Sequence, residues 1–196
     1  MKTVCILLAE GFEEVEALTV SDIMRRANVT CDLVSIDKEY VTSSHNVTVK
    51  ADKIFHENME YDLVVLPGGM PGASNLRDDD RVIKFVKKQN KEGKLIGAIC
   101  AAPIVFGKAG LTEDREITSY PGYEDELPNC EYSEEAVVVD GNIITSRGPA
   151  TAMTFSYKLL EALGYEDKVN SIASGMLYKM FIDCLLYTSP SPRDST

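Results

Sequence analysis

The sequence predicts one α/β domain with a mainly parallel sheet, and three observations carry that reading. Short apolar runs rich in strand formers alternate with stretches of helical period. Several of those runs are apolar throughout rather than alternating, as strands covered on both faces are. Gly and Pro cluster where the runs end. At 196 residues the chain is long enough for one full core and short for two, so residues 1–183 are read as a single domain.

Taken in order, residues 3–9 (TVCILLA) form the first strand, and residues 13–27 follow as a helix with Val15, Leu18, Ile23 and Met24 at helical spacing. Residues 29–36 (VTCDLVSI) read as the next strand, and residues 41–49 suit a small edge hairpin. Residues 62–66 (DLVVL) are a buried strand closed by Pro67, Gly68 and Gly69. Residues 80–90 carry Val82, Ile83 and Val86 opposite Arg81, Lys84, Lys87 and Lys88, an amphipathic helix that Gly93 ends. Residues 94–99 (KLIGAI) are again a strand, delivering Cys100 to a helix-compatible run at 101–108. Asp140-Gly141 between the β-branched runs of residues 137–146 signals a hairpin. Residues 149–163 and 166 to about 180 read as two closing helices. Residues 184–196 (CLLYTSPSPRDST) lose periodicity and shift to Ser, Pro and Thr, so they are expected to be a non-native or disordered tail.

Composition excludes several classes. With 44% hydrophobic and 26% charged residues, the chain is neither wholly disordered nor collagen-like, and a soluble globular protein is expected. Thirty-one acids against 20 bases, a net charge of -11, leave no basic stripe for a phosphate backbone, so nucleic acid is not an expected partner. No apolar run approaches the roughly 18 residues of a membrane helix, and residues 1–9 lack a signal peptide's pattern, so a cytoplasmic location and no membrane partner are expected. Cys5, Cys31, Cys100, Cys130 and Cys184 are scattered and form no CxxC or Cys/His cluster, which points to neither a disulfide framework nor a metal site. His45 and His56 are read as structural or surface residues.

Ligand sites in parallel α/β sheets lie at the carboxyl ends of the strands, where both Cys100 and Gly68-Gly69 fall. A cysteine between a strand and a helix start is the thiol form of a nucleophile elbow, and backbone N–H groups and the helix dipole there would hold its pKa below about 8.5. A small buried hydrophobe accounts for the same cysteine, whereas Cys5 and Cys31 lie inside strand patterns and are read as core. The glycine pair could present N–H groups to an oxyanion or only make a turn. Glu10, Glu13, Glu14 and Glu16 crowd the first helix N-terminus, where negative charge is favourable. Glu16, one turn from Phe12, could instead be drawn inward, which would raise its pKa.

Together these pieces resemble the ThiJ/PfpI superfamily, in its Parkinsonism-associated deglycase branch. The resemblance rests on AEGFEEVEA at 9–17, DIMRRA at 22–27, VVLPGGMPGASNL at 64–76, AICAAP at 98–103 and TSRGPAT at 145–151. It implies a flavodoxin-like three-layer sandwich and a homodimer, with Arg25, Arg26 and the SRGPAT segment near the two-fold interface. It also implies Cys100 as the reactive thiol, Glu16 as the acid hydrogen-bonded to the sulfur, and Gly68, Gly69 and the Ala101 N–H as an oxyanion cradle. Family activities are hydration of methylglyoxal to lactate without glutathione or any cofactor, a disputed deglycation of amino acids and proteins, and oxidative-stress sensing through cysteine sulfinate. Where many relatives have a histidine near the cysteine, in the segment ITSYPG, this chain has Tyr120, which removes the base of a Cys-His peptidase dyad. His45 stands where some relatives carry an arginine near the pocket or dimer edge.

The expected function is therefore a glyoxalase- or deglycase-type enzyme: the Cys100 thiolate attacks a 2-oxoaldehyde and Glu16 moves protons. The rival is a redox sensor or chaperone that works through oxidation of Cys100. An ionised Glu16 would oppose the thiolate, so a protonated Glu16 donating to sulfur, with the two groups titrating as a pair, is the expected arrangement.

Overall fold

The computed structural model describes residues 1–187. In chain order the elements are β1 (Thr3–Leu8), α1 (Glu14–Arg26), β2 (Thr30–Ser35), β3 (Tyr40–Thr42), β4 (Thr48–Lys50), β5 (Lys53–Ile54), β6 (Leu63–Leu66), α2 (Gly72–Asp78), α3 (Asp80–Lys91), β7 (Leu95–Ile99), α4 (Ile104–Ala109), β8 (Glu116–Ile117), β9 (Glu131–Tyr132), β10 (Val137–Asp140), β11 (Ile143–Ser146), α5 (Ala152–Ala162), α6 (Glu166–Gly175) and α7 (Tyr178–Tyr187). Seven strands make the central sheet in the order β10-β11-β7-β6-β1-β2-β5. Every pairing in it is parallel except β10 with β11.

The sheet is covered on both faces, and the pleat of β1 shows how. Cys5 and Leu7 pack with α2, α3 and α4, while Val4, Ile6 and Leu8 pack with α1 and α5. Successive residues point to opposite faces and both faces are dry, so the strand has no use for a polar position. This is the predicted three-layer α/β sandwich. On α3 the buried residues Val82, Ile83, Phe85 and Val86 form one stripe, and each such side chain contributes roughly 1.5–3 kcal/mol by leaving water.

Some boundaries differ from expectation. The predicted edge hairpin is β3–β4, paired Tyr40 with Lys50 through Thr42 with Thr48. In β10–β11 the loop is Gly141-Asn142, because Asp140 already pairs with Ile143. The second closing helix breaks after Gly175, and Leu177 at φ 59 separates α6 from α7. Of the predicted tail, residues 184–187 continue α7 and residues 188–196 lie outside the described residues. Among the described residues, no helix is long and apolar enough to cross a membrane.

Candidate active site

Strands β7, β6 and β1 are neighbours in the parallel sheet, so the segments that leave their carboxyl ends must meet. They bring Cys100, Gly68-Gly69 and Glu16 together. Cys100 follows the last residue of β7 with φ 64, a left-handed conformation that costs a side-chain-bearing residue on the order of 1–3 kcal/mol. Its neighbours hold it there: the Cys100 N–H donates to the Ser146 carbonyl at 3.0 Å, and its carbonyl accepts the Tyr120 N–H at 2.8 Å. The side chain is only partly buried, unlike those of Cys5 and Cys31.

Glu16 is drawn inward by helical spacing. It lies on the same stripe of α1 as Val20, Ile23 and Met24, and its exposure is 0%. One carboxyl oxygen, Oε2, accepts the Gly68 N–H at 2.7 Å. The other, Oε1, is buried without a nitrogen or oxygen partner, an arrangement that suits a protonated carboxyl better than a carboxylate. Burial accordingly raises the Glu16 pKa from 4.5 to about 7, with the charge of Glu13 adding to the effect; the Gly68 N–H and the Cys100 thiol act in the opposite direction.

The glycine pair is required by close approach. A Cβ on Gly68 would stand 2.6 Å from Cys100 Cβ and 2.9 Å from Glu16 Oε2. Gly69 has φ +83, and a Cβ there would meet the Glu13 nitrogen at 2.5 Å. Two expectations need correction. The Gly68 N–H does not face an oxyanion, because Glu16 already takes it; the N–H groups aimed at the sulfur are those of Gly69 and Ala101. Nor is the thiol acidified by a helix N-terminus. Helix α4 begins only at Ile104, after a turn, and the dipole acts over little more than the first helical turn. Burial, then the charge and hydrogen bonding of Glu16, push the Cys100 thiol up to about 12 against those two N–H groups. The share due to Glu16 disappears whenever that carboxyl holds the proton.

Residues 2–162 match the DJ-1/PfpI family. The chain belongs to the DJ-1/PfpI family. Among its DJ-1 relatives, Protein dj-1beta of Drosophila melanogaster is 37% identical over 182 residues, 90% of this chain and 97% of the relative. A protein of Schizosaccharomyces pombe named glutathione-independent glyoxalase DJ-1 is 33% identical over 185 residues, 88% of this chain and 96% of the relative. The solved structure of oxidized Toxoplasma gondii DJ-1 superposes with a TM-score of 0.86 at 38% identity, covering 90% of this chain and 98% of that one.

Among the described residues of this DJ-1/PfpI domain, the side chains of Tyr120 and His45 make no hydrogen bond to Glu16 or to the Cys100 sulfur. Tyr120 is 48% exposed and approaches Cys100 through its backbone. His45, at the β3–β4 turn, lies at Glu13 and Glu14, with Nδ1 3.1 Å from Glu14 Oε1 and 3.5 Å from Glu13 Oε2. Sequence reasoning did not find Ser146, the clamp on the Cys100 N–H. Its signal was faint: a serine ending an apolar strand is ordinary, and only strand order puts it beside Cys100.

Proposed function

We propose that this protein is a cofactor-independent glyoxalase- or deglycase-type enzyme that acts on 2-oxoaldehydes such as methylglyoxal through Cys100. The observation that carries the reading is the Glu16–Cys100 pair: a buried carboxyl raised to about 7 beside a thiol held at positive φ and faced by two backbone N–H groups. Above about pH 7 the pair holds one proton, on the thiol, and the ionised carboxyl beside it is free to take that proton as sulfur attacks.

In the reaction, Glu16 takes the thiol proton as sulfur attacks the aldehyde carbon. The new alkoxide, faced by the Gly69 and Ala101 N–H groups, is protonated to a hemithioacetal. Glu16 then removes the proton from the former aldehyde carbon and returns a proton to the adjacent one, while the hydroxyl proton on the first carbon passes to the ketone oxygen. This internal redox step oxidises the first carbon to a thioester and reduces the ketone to an alcohol. Water cleaves the thioester to lactate and frees the thiol, so the sum is methylglyoxal plus water to lactate. The glyoxalase name of the S. pombe relative supports this reading, and glycated amino acids or proteins are the wider substrate class. Lactate formation without glutathione by wild type and Cys100→Ser tests it; turnover that survives in Cys100→Ser rejects it.

A second reading, redox sensing through oxidation of Cys100, is favoured by the relative solved in oxidized form. A protonated Glu16 would donate to a sulfinate oxygen.

A symmetric homodimer in the cytoplasm belongs to the same proposal. Val15 of α1 is 47% exposed and, with Thr19, Pro149, Ala150, Met153 and Phe181, lines an open groove of about 450 Å³. Arg25 and Arg26 are engaged within the chain, with Asp52 and Asp22.

A further inference from the structure

We propose that Glu13, Glu14 and His45 bind a divalent first-row transition cation such as Zn²⁺ beside, and separately from, the Glu16–Cys100 pair. Their ligand atoms come from two elements, the start of α1 and the β3–β4 turn, and lie within 4.8 Å of one another. His45 Nδ1 is 3.1 and 3.2 Å from the two carboxyl oxygens of Glu14 and 3.5 Å from Glu13 Oε2. Around an ion with bonds of about 2.1 Å, neighbouring ligands stand about 3.0 Å apart in octahedral and about 3.4 Å apart in tetrahedral geometry. The His45 separations to Glu14 and Glu13 fall near these values, and the whole set, spread over as much as 4.8 Å, has to draw together around an ion by side-chain rotation.

The frame is built from both sides. Glu13 uses Oε1 to cap the Val15 N–H, which leaves Oε2 for a ligand, and its own N–H is fixed by the Gly68 carbonyl at 2.9 Å. The turn that presents His45 is tied by Ser43 Oγ, which accepts the N–H groups of His45 and Val47, and by the Ser44 N–H donating to the Phe12 carbonyl at 2.8 Å. Ser44 Oγ lies 3.4 Å from Glu13 Oε2 and 3.3 Å from His45 Nδ1, placed to orient both.

Charge and chemistry agree. Two carboxylates outweigh the roughly half unit of positive charge at a helix N-terminus, so the locus is net negative when His45 is neutral. One imidazole nitrogen with two carboxylate oxygens is a mixed donor set suited to Zn²⁺, Co²⁺ or Mn²⁺ rather than to Ca²⁺, which takes oxygen alone. His45 is 67% exposed along its side chain, leaving room for water to complete the coordination.

The competing account is a plain His–Glu ion pair, and one titration separates the two. The chain has two histidines, so its imidazole C2–H proton signals can be assigned with His45→Ala. Added to the untagged full chain, sub-stoichiometric Co²⁺ should broaden the His45 signal and spare that of His56. Calorimetry with Zn²⁺ should show one site per chain in the micromolar range, weakened at least tenfold by His45→Ala and by Glu14→Gln and unchanged in Cys100→Ser. Equal broadening of both histidines, no binding below millimolar Zn²⁺, binding kept in both variants, or binding lost with Cys100 would each overturn the proposal. None of these readouts depends on lactate formation, so its failure and that of the glyoxalase reading are distinguishable.

Discussion

Replacing Glu16 by Gln separates charge from hydrogen bonding at the site. The amide oxygen can still accept the Gly68 N–H and the NH₂ can still donate to sulfur, but the side chain can neither ionise nor pass a proton. In the folded wild type Glu16 keeps its proton up to about 7, against 4.5 ordinarily, because burial penalises the anion. Between those values the folded state binds more protons than the unfolded chain, so this contribution is fully present below 4.5 and is lost as pH rises to about 7. At about 1.4 kcal/mol per pH unit the whole loss is roughly 3 kcal/mol, of which about 2 kcal/mol falls between pH 5.5 and 8.5. The Gln variant escapes it. Its stability relative to wild type should therefore improve by about 2 kcal/mol from pH 5.5 to 8.5, measured by urea denaturation at each pH.

The same change removes the negative charge beside Cys100, so the thiol ionises more easily and iodoacetamide should alkylate it faster at pH 8. Turnover of methylglyoxal should move the other way, falling by roughly 100- to 10,000-fold for a lost general acid/base, while peroxide still oxidises Cys100. A variant that gets more reactive toward iodoacetamide and less active as an enzyme fits only a carboxyl that works by moving protons. An equal stability difference at both pH values, or turnover at the wild-type rate, refutes that role for Glu16.

Gly68→Ala should destabilise the fold by about 1–3 kcal/mol and suppress lactate formation, since the added methyl meets Cys100 Cβ and Glu16 Oε2; wild-type melting and activity would show that the site has slack. Wild-type kcat/KM should rise from pH 6 to a plateau above about 7 as Glu16 ionises, and a profile flat across that range would separate the activity from this carboxyl. Light scattering should report a dimer at micromolar concentration and Val15→Asp should shift it toward monomer; a wild-type monomer would end the homodimer proposal.

The layers and most helices of this DJ-1/PfpI domain were legible in the residue pattern because burial imposes it directly. The unbroken apolar runs at β1 and β6 announce strands covered on both faces, and α3 separates Val82, Ile83 and Val86 from its lysines. Helix α2 was not legible: Gly72–Asp78 is short, mixed and preceded by Pro71, so its period is too brief to register. Residues Cys100, Glu16 and Gly69 could be named from local pattern and resemblance. Their protonation could not, because pKa depends on what surrounds a group in space. The sequence suggested a helix start behind Cys100 and hence an acidic thiol; the fold puts a turn there, buries Glu16 against the sulfur and raises both groups. The Gly68 N–H was likewise assigned by proximity in sequence and is spent on a carboxyl 52 residues away. Residue type and order were enough to determine which chemistry-bearing groups this protein owns and which strand ends carry them. Which N–H meets which oxygen, and that His45 stands over Glu13 and Glu14, were decided only when the strands packed side by side, because those are distances between segments far apart in the chain.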